Sequence, residues 1–355
     1  MNPPKLAMAD GLGSDYPPVA ELDLYGLLPC MLKVPLETEF NRLMQERGTS
    51  GACCFDWQDN LGLMQAVSEG VGPDQLPPVM IWVGNGALFN RNFMQQHLLN
   101  GRYRSISEPT VNDVLASHGL IDPHKNFTML ATDAVVLVAD LKLVGNLQLP
   151  QCWSDFLEPE YADTLSLCGR HESEGFSPPM LLAMQQSHGF DGLRRFARAV
   201  GGACHPAQMS KLAGRGKPEG FPFNAVPLFF AETISDREDV QIIWPDDGAL
   251  AVPMTMLVKA DADERQQQMA RYFTSLPAAE ICSNAWFPAL HPAVDNNHLP
   301  GRSLKWIGWD LLYDPSFEKL LEETLNTFRW AFREKRNNSP VMKKHAGSPK
   351  GHKAP

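Results

Sequence analysis

Two short, unbroken apolar runs constrain this chain more than any other feature. Val79-Met80-Ile81-Trp82-Val83 stands between Pro77-Pro78 and Gly84-Asn85-Gly86, and Ala134 to Ala139 has the same character. A strand with one wet face alternates in polarity. A run with no polar position must be covered on both faces, as in a parallel sheet between helical layers. Helical spacing recurs in between. Leu36, Phe40, Leu43 and Met44 follow Pro35, a residue suited to a helix's first turn, and Leu193, Phe196, Ala197 and Val200 follow Asp191, a capping residue. Met269, Tyr272, Phe273 and Leu276 precede the stop at Pro277, and Phe317, Leu320, Leu321, Leu325 and Phe328 follow Asp314-Pro315. Strands are expected also at 22–28, 240–244 and 249–258, with Pro253 limiting the pairing of the last. Alternating strands and helices make an α/β protein, and there is no internal repeat.

At 355 residues, 44% hydrophobic and 20% charged, the chain is long enough for two separate cores. Residues 1–20 read as a loose leader broken by Pro3-Pro4, Gly11, Gly13 and Pro17-Pro18. Six of the 31 basic residues crowd into 335–355, where there is no acid, and 337–355 reads as a disordered basic tail. The body is therefore more acidic than the formal net charge of −10 implies. That balance argues against nucleic acid as a partner, because binding a polyanion needs a basic surface. No run of about 18 apolar residues occurs, so no membrane span is expected.

Seven cysteines, odd in number and without a CxxC pair, fit reduced thiols better than a disulfide framework. Met1 to Tyr16 has no apolar stretch like that of a signal peptide. Together these give the expectation of a cytoplasmic chain. P-loop, GxSxG and HExxH motifs are absent, and Gly84-Asn85-Gly86 lacks the third glycine of a dinucleotide fingerprint, so no cofactor is expected. The histidines are scattered. Cys204-His205 is the best single metal candidate, although adjacent residues rarely chelate one ion and a polar loop is the simpler reading.

Three segments, in order, resemble one family. Leu149-Pro150-Gln151-Cys152-Trp153-Ser154-Asp155-Phe156-Leu157-Glu158-Pro159-Glu160-Tyr161-Ala162-Asp163 is the first. Ile242-Ile243-Trp244-Pro245-Asp246-Asp247-Gly248-Ala249-Leu250 is the second, and Met269 to Ile281, running on towards Pro288, is the third. They are similar to segments of type-2 periplasmic or extracellular solute-binding proteins, the ligand-capturing subunits of ABC importers, especially the ferric-binding subgroup. The resemblance implies a two-lobed α/β fold with an interlobe ligand cleft. Lobe one would be 20–133 with 250–336, and lobe two 134–249. Relatives in that family are periplasmic or extracellular. The ferric-binding subgroup carries adjacent tyrosines as iron ligands in lobe two. The stretch Asn224 to Ala231 has Phe229 and Phe230 instead, and a phenyl ring has no oxygen to give a metal.

On that mapping the ligand contacts come from loops after the strands. Lobe one offers Tyr25, Cys30, Lys33, Asn85 and Gly86, with Thr132 near the hinge. Lobe two offers Ser177, His205, Gln208 and Asn224, with Asp247 near the return hinge. A lysine, a hydroxyl and helix N-termini favour an anion. The expected function is capture of a small polar ligand, an anion or a metal complex, by lobe closure, with an ABC permease as partner and no catalysis. A cytosolic enzyme on the same fold competes, because Cys53-Cys54-Phe55 is similar to a Cys-rich run in thiamin pyrimidine synthases. A protein-interaction subunit with a degenerate cleft is a third reading.

Overall fold

The computed structural model describes residues 18–338 apart from 56–66, 68–69, 71, 85–86, 107–110, 171–174, 236, 297 and 300. The leader through residue 17 and the tail beyond 338 lie outside the described residues. The first apolar run is strand β3 (Val79–Val83), beside β1 (Leu24–Gly26) and β2 (Cys53–Cys54), all parallel. The second run is the latter half of a longer strand, β5 (Thr128–Asp140), in which all 13 residues are buried. Thr128, Thr132 and Asp133 conceal the first half of that strand from a reading based on apolarity.

Two strands carry the chain between lobes. β5 pairs antiparallel with β11 (Ala249–Lys259) from Thr128 to Val135, then with β9 (Phe223–Pro227) from Val135 to Ala139. β9 lies parallel to β6 (Leu165–Arg170), which lies parallel to β8 (Val200–Cys204). Three short strands extend the sheets: β4 (Tyr103–Arg104) pairs with the end of β11, β7 (Gly175–Phe176) with the end of β6, and β10 (Val240–Ile243) with the far end of β5. Each lobe thus has its own parallel strands, and β5 with β11 forms the bridge. Pro253 does not interrupt β11: it pairs opposite Thr132, and its carbonyl accepts the Gly84 amide at 2.8 Å.

The helices cover these sheets. α1 (Cys30–Glu46) starts earlier than its proline suggested, so Pro35 sits inside it, and Leu32, Leu36, Phe40 and Met44 face the core. α2 (Pro178–Ala199) bends at Gly189, whose φ is +64°, and Asp191 lies in the first turn after the bend. Val200 belongs to β8 and not to that helix. α3 (Pro206–Leu212) and α4 (Leu228–Glu232) follow β8 and β9 directly. Pro277 opens a helix where the pattern predicted a stop. α5 (Glu264–Phe273) ends before it, and α6 (Leu276–Asn284) begins with it in the first turn, where a missing N–H costs nothing. The last helix, α7 (Phe317–Asn338), lies against α2: Phe328 meets Phe196 at 6.5 Å between ring centroids, and Lys335 pairs with Asp163 at 2.5 Å.

Lobe one is fastened to its helices by a half-buried polar knot. Asp23, just before β1, accepts from both Arg265 terminal nitrogens at 2.6 Å, from Gln266 Nε2 at 2.9 Å and from the Ala52 amide at 3.0 Å. Burial pushes the Asp23 carboxyl up, and the hydrogen bonds from Arg265, Gln266 and Ala52 outweigh it and hold the group below the usual carboxylate range. Tyr272 adds a second tie, its hydroxyl donating to the Leu36 carbonyl at 2.9 Å.

Candidate functional site in the interlobe cleft

The strand register locates the cleft. Met254 of β11 pairs with both Val83, the end of β3, and Ala131 of β5. Val135 pairs with Pro227, the end of β9. The C-terminal ends of the parallel strands of both lobes therefore face each other across 131–135 of β5, a span of roughly 13 Å at strand rise. Ligands of open α/β sheets bind at such ends, where loops and helix N-termini turn their N–H groups outward. The floor is Thr132, Asp133 and Ala134, opposite Pro253, Val252 and Ala251.

Asp133 and Val252 are register partners and share a face of this floor, and Val252 is half-buried. A Cβ built on Gly84, the residue directly after β3, would lie 3.5 Å from Val252 Cγ1, so Gly84 lies beside that side chain. Thr132 is fully buried, its hydroxyl donating to the Asp133 carbonyl at 2.9 Å and its amide to Pro288 at 2.9 Å. On the edge of β5 away from β11, Ala131 bridges to Ala289, and β9 takes over at Val135. Asp133 and Ala134 form the step between those pairings. The Ala134 amide donates to the Asp133 carboxylate, while Oδ1 has no hydrogen-bond partner among the described residues. Burial raises this carboxyl to about 7, an effect the Ala134 amide offsets only in part.

Lobe two supplies the second wall. Cys168 and Cys204 are register partners near the ends of β6 and β8. Burial raises the Cys168 thiol, and the Asp133 charge adds to the shift, which puts the two groups within electrostatic reach. Ser177 follows closely: its amide donates to the Cys168 carbonyl at 3.1 Å, and as N-cap of α2 its hydroxyl makes no capping bond. His205 is exposed at the N-terminus of α3, with Nδ1 accepting the Ala207 amide at 3.2 Å, and Gln208 is exposed one turn on. Phe230 stands 6.4 Å from the His205 ring, edge to face, and Phe229 packs against the lobe-one core.

The expected contacts divide by position. Cys30 and Lys33 lie in the first turn of α1, beyond the end of β1, and with Thr132, Ser177 and His205 they border the cleft end of the strands. Asn85 and Gly86 fall outside the described residues. Tyr25 is sealed in the core at mid-strand. Asn224 is the second residue of β9, towards the end away from the cleft, and its Nδ2 donates to the Phe221 carbonyl at 3.2 Å. Asp247 accepts from the Trp153 amide at 3.1 Å and from Lys305 Nζ at 3.0 Å. Sequence reasoning missed Asp133. The clue was a carboxylate directly before a continuous apolar run, where an unpaired charge is costly.

Among the described residues no three His, Cys, Asp or Glu side chains converge to hold a metal ion, and no helix is long and apolar enough to cross a membrane. Cys54 is buried, and burial pushes the neighbouring Cys53 thiol up to about 12, which leaves that thiol no nucleophilic thiolate at neutral pH.

This architecture, two α/β lobes bridged by crossing strands with an interlobe cleft, is that of the type-2 periplasmic binding proteins. Residues 74–315 match the family described as bacterial extracellular solute-binding protein, and the chain belongs to it. Solved structures agree on the fold. A Trichodesmium protein in complex with iron and citrate has a TM-score of 0.61 at 14% identity, covering 87% of this chain and 98% of that one. The periplasmic binding protein AfuA of Actinobacillus pleuropneumoniae, with fructose-6-phosphate bound, gives 0.60 at 12% identity over 87% and 98%. The apo ferric ion-binding protein A of Pasteurella haemolytica gives 0.57 at 14% identity over 90% and 99%. No curated protein sequence matches the chain.

Proposed function

We propose that this protein is the ligand-capturing subunit of an ABC importer and that it holds a small polar anion, free or complexed with a metal, between its lobes. The observation that carries the reading is the meeting of strand ends across Thr132–Ala134, with the N-termini of α1 and α2 brought in from opposite lobes. Helix N-termini stabilise negative charge, and Lys33 adds a cation on the lobe-one side. Phe229 and Phe230 rule out a tyrosinate grip at those positions, so a metal would enter as the anion's companion. Of the contacts expected from sequence, this reading retains Cys30, Lys33, Ser177, His205 and Gln208, with Thr132 buried in the floor as support and not as a contact.

The lobes we assign are 20–133 with 250–336, and 134–249. Helix α7 is the exception, since its partners Phe196 and Asp163 lie in 134–249. A permease is the partner the reading implies. The cytoplasmic expectation rests on seven cysteines, none of which forms a disulfide in the fold. Cell fractionation decides between it and the extracellular setting of the family.

A thermal-shift screen with phosphate, citrate, glycerol 3-phosphate and ferric citrate, followed by calorimetry, tests the function. Stabilisation by at least one of them, weakened in Lys33→Ala, is expected. A melting temperature that none of the four moves overturns the reading.

A further inference from the structure

We propose that Asp133 is a specificity-determining residue of the cleft and that the ligand is an anion that also carries a hydroxyl, which donates to Asp133 Oδ1. This rests on the cleft reading above and narrows its substrate class.

Three observations meet at this residue. Asp133 is only 9% exposed, yet Oδ1 lacks a hydrogen-bond partner and the carboxylate has no ion-pair partner among the described residues. Buried polar atoms left unsatisfied are rare and costly, and in a binding protein a ligand is the natural source of the missing bond. Its position is the second observation. Asp133 stands on the step of β5 where one lobe's pairing has ended and the other's begins, on the face shared with half-buried Val252, which has Gly84 beside it. The third is the contrast with its surroundings. The helix N-termini at the walls attract negative charge, whereas the floor presents an unpartnered carboxyl oxygen, which takes a hydrogen-bond donor. An anion without a hydroxyl satisfies the walls and offers Oδ1 no donor. An anion with a hydroxyl satisfies both, with its charged end towards the helices and its O–H on the floor.

Hydroxyl deletion in the ligand tests this. Calorimetry on the full chain compares citrate with tricarballylate, and glycerol 3-phosphate with propyl phosphate, each pair differing in hydroxyl content. The wild-type protein should bind the hydroxylated member of at least one pair about tenfold or more tightly, because a site built around a hydroxyl discriminates strongly against its absence. Asp133→Ala should bring the two members of that pair within about twofold, with little change for the deoxy member, while Asp133→Asn, which keeps a carbonyl acceptor, retains a preference. Thermal melts verify that both variants are folded. Equal binding of both members by the wild type, or discrimination that survives in Asp133→Ala, overturns the assignment and leaves the cleft reading standing. Failure of all four of these probes to bind overturns this assignment; the cleft reading falls as well only if phosphate and ferric citrate also leave the melting temperature unmoved.

Discussion

The Trp153 indole donates its Nε1–H to the Gly248 carbonyl at 2.8 Å, and this bond joins two segments 95 residues apart. The Trp153 amide donates in turn to Asp247 Oδ1, and the Asp246 amide to the Gln151 carbonyl at 2.8 Å. The stretch that leads into lobe two after β5 is thus riveted to the turn that leads back into β11. Trp153 is nearly fully buried, so its N–H has no water to fall back on. Trp153→Phe should keep most of the packing and strand the Gly248 carbonyl, costing about 1–3 kcal/mol. Trp153→Ala should cost about 3–5 kcal/mol. Urea unfolding followed by far-UV circular dichroism measures both.

Gly248 tolerates no side chain. Its φ is +100°, and a Cβ there would lie 2.7 Å from the Lys305 amide nitrogen and 2.9 Å from the Leu304 carbonyl carbon. Gly301 also has a positive φ, +74°, but a methyl group added there would meet nothing within 4 Å. Gly301→Ala should therefore cost only the left-handed backbone penalty, about 1–2 kcal/mol. Gly248→Ala should exceed it, since backbone must move as well. Equal melting temperatures for the two variants would remove the steric argument.

The Asp23–Arg265 pair should appear in acid. Asp23 has its folded pKa depressed, so the stability it contributes is present above its unfolded value of about 3.8 and is lost as pH falls through the folded value. Arg265 is 37% exposed, so solvent screening keeps the pair's worth to about 1 kcal/mol. Thermal melts from pH 6 down to pH 2 should fall more steeply for the wild type than for Asp23→Asn.

Asp133 has the opposite sign. Its folded pKa, about 7, lies above the unfolded value of about 3.8, so the native state holds the proton more tightly. Its contribution is complete below pH 3.8 and is lost as pH rises through 7, at most about 4 kcal/mol in all. Asp133→Asn carries no titrating group and should flatten the stability profile between pH 4 and pH 8. A profile unchanged by that substitution would contradict the burial of an ionisable group at the hinge.

Much of the fold could be read from polarity alone, because covering a strand on both faces leaves an unmistakable apolar run. Val79–Val83 is one such case, and the three family-like segments lie where the lobes join: Trp153 and Gly248 touch, and the third leads to Pro288, which accepts the Thr132 amide. The boundaries were less legible. Pro35 suggested a first turn but stands five residues into α1, and Pro277 read as a stop but lies in the first turn of α6, because a proline ends one helix as readily as it opens the next. Helix α7 shows an apolar stripe in sequence without naming the lobe that covers it; the Phe196 and Asp163 contacts decide that. At the cleft, residues just after strands could be anticipated, as with Cys30, Ser177 and His205. Asn224 and Tyr25 could not be placed, because a position within a strand depends on where pairing begins. Asp133 escaped because its meaning depends on register: only the change from the Ala289 bridge to β9 pairing turns an acidic residue beside an apolar run into the floor of a cleft.

Small-angle X-ray scattering on the full chain, with and without saturating citrate or glycerol 3-phosphate, tests the central claim most directly. A two-lobed protein that captures its ligand by rotating about β5 and β11 becomes more compact when it binds. The account predicts a smaller radius of gyration with whichever probe calorimetry finds bound. A radius that stays the same when that probe is demonstrably bound would contradict capture by lobe closure.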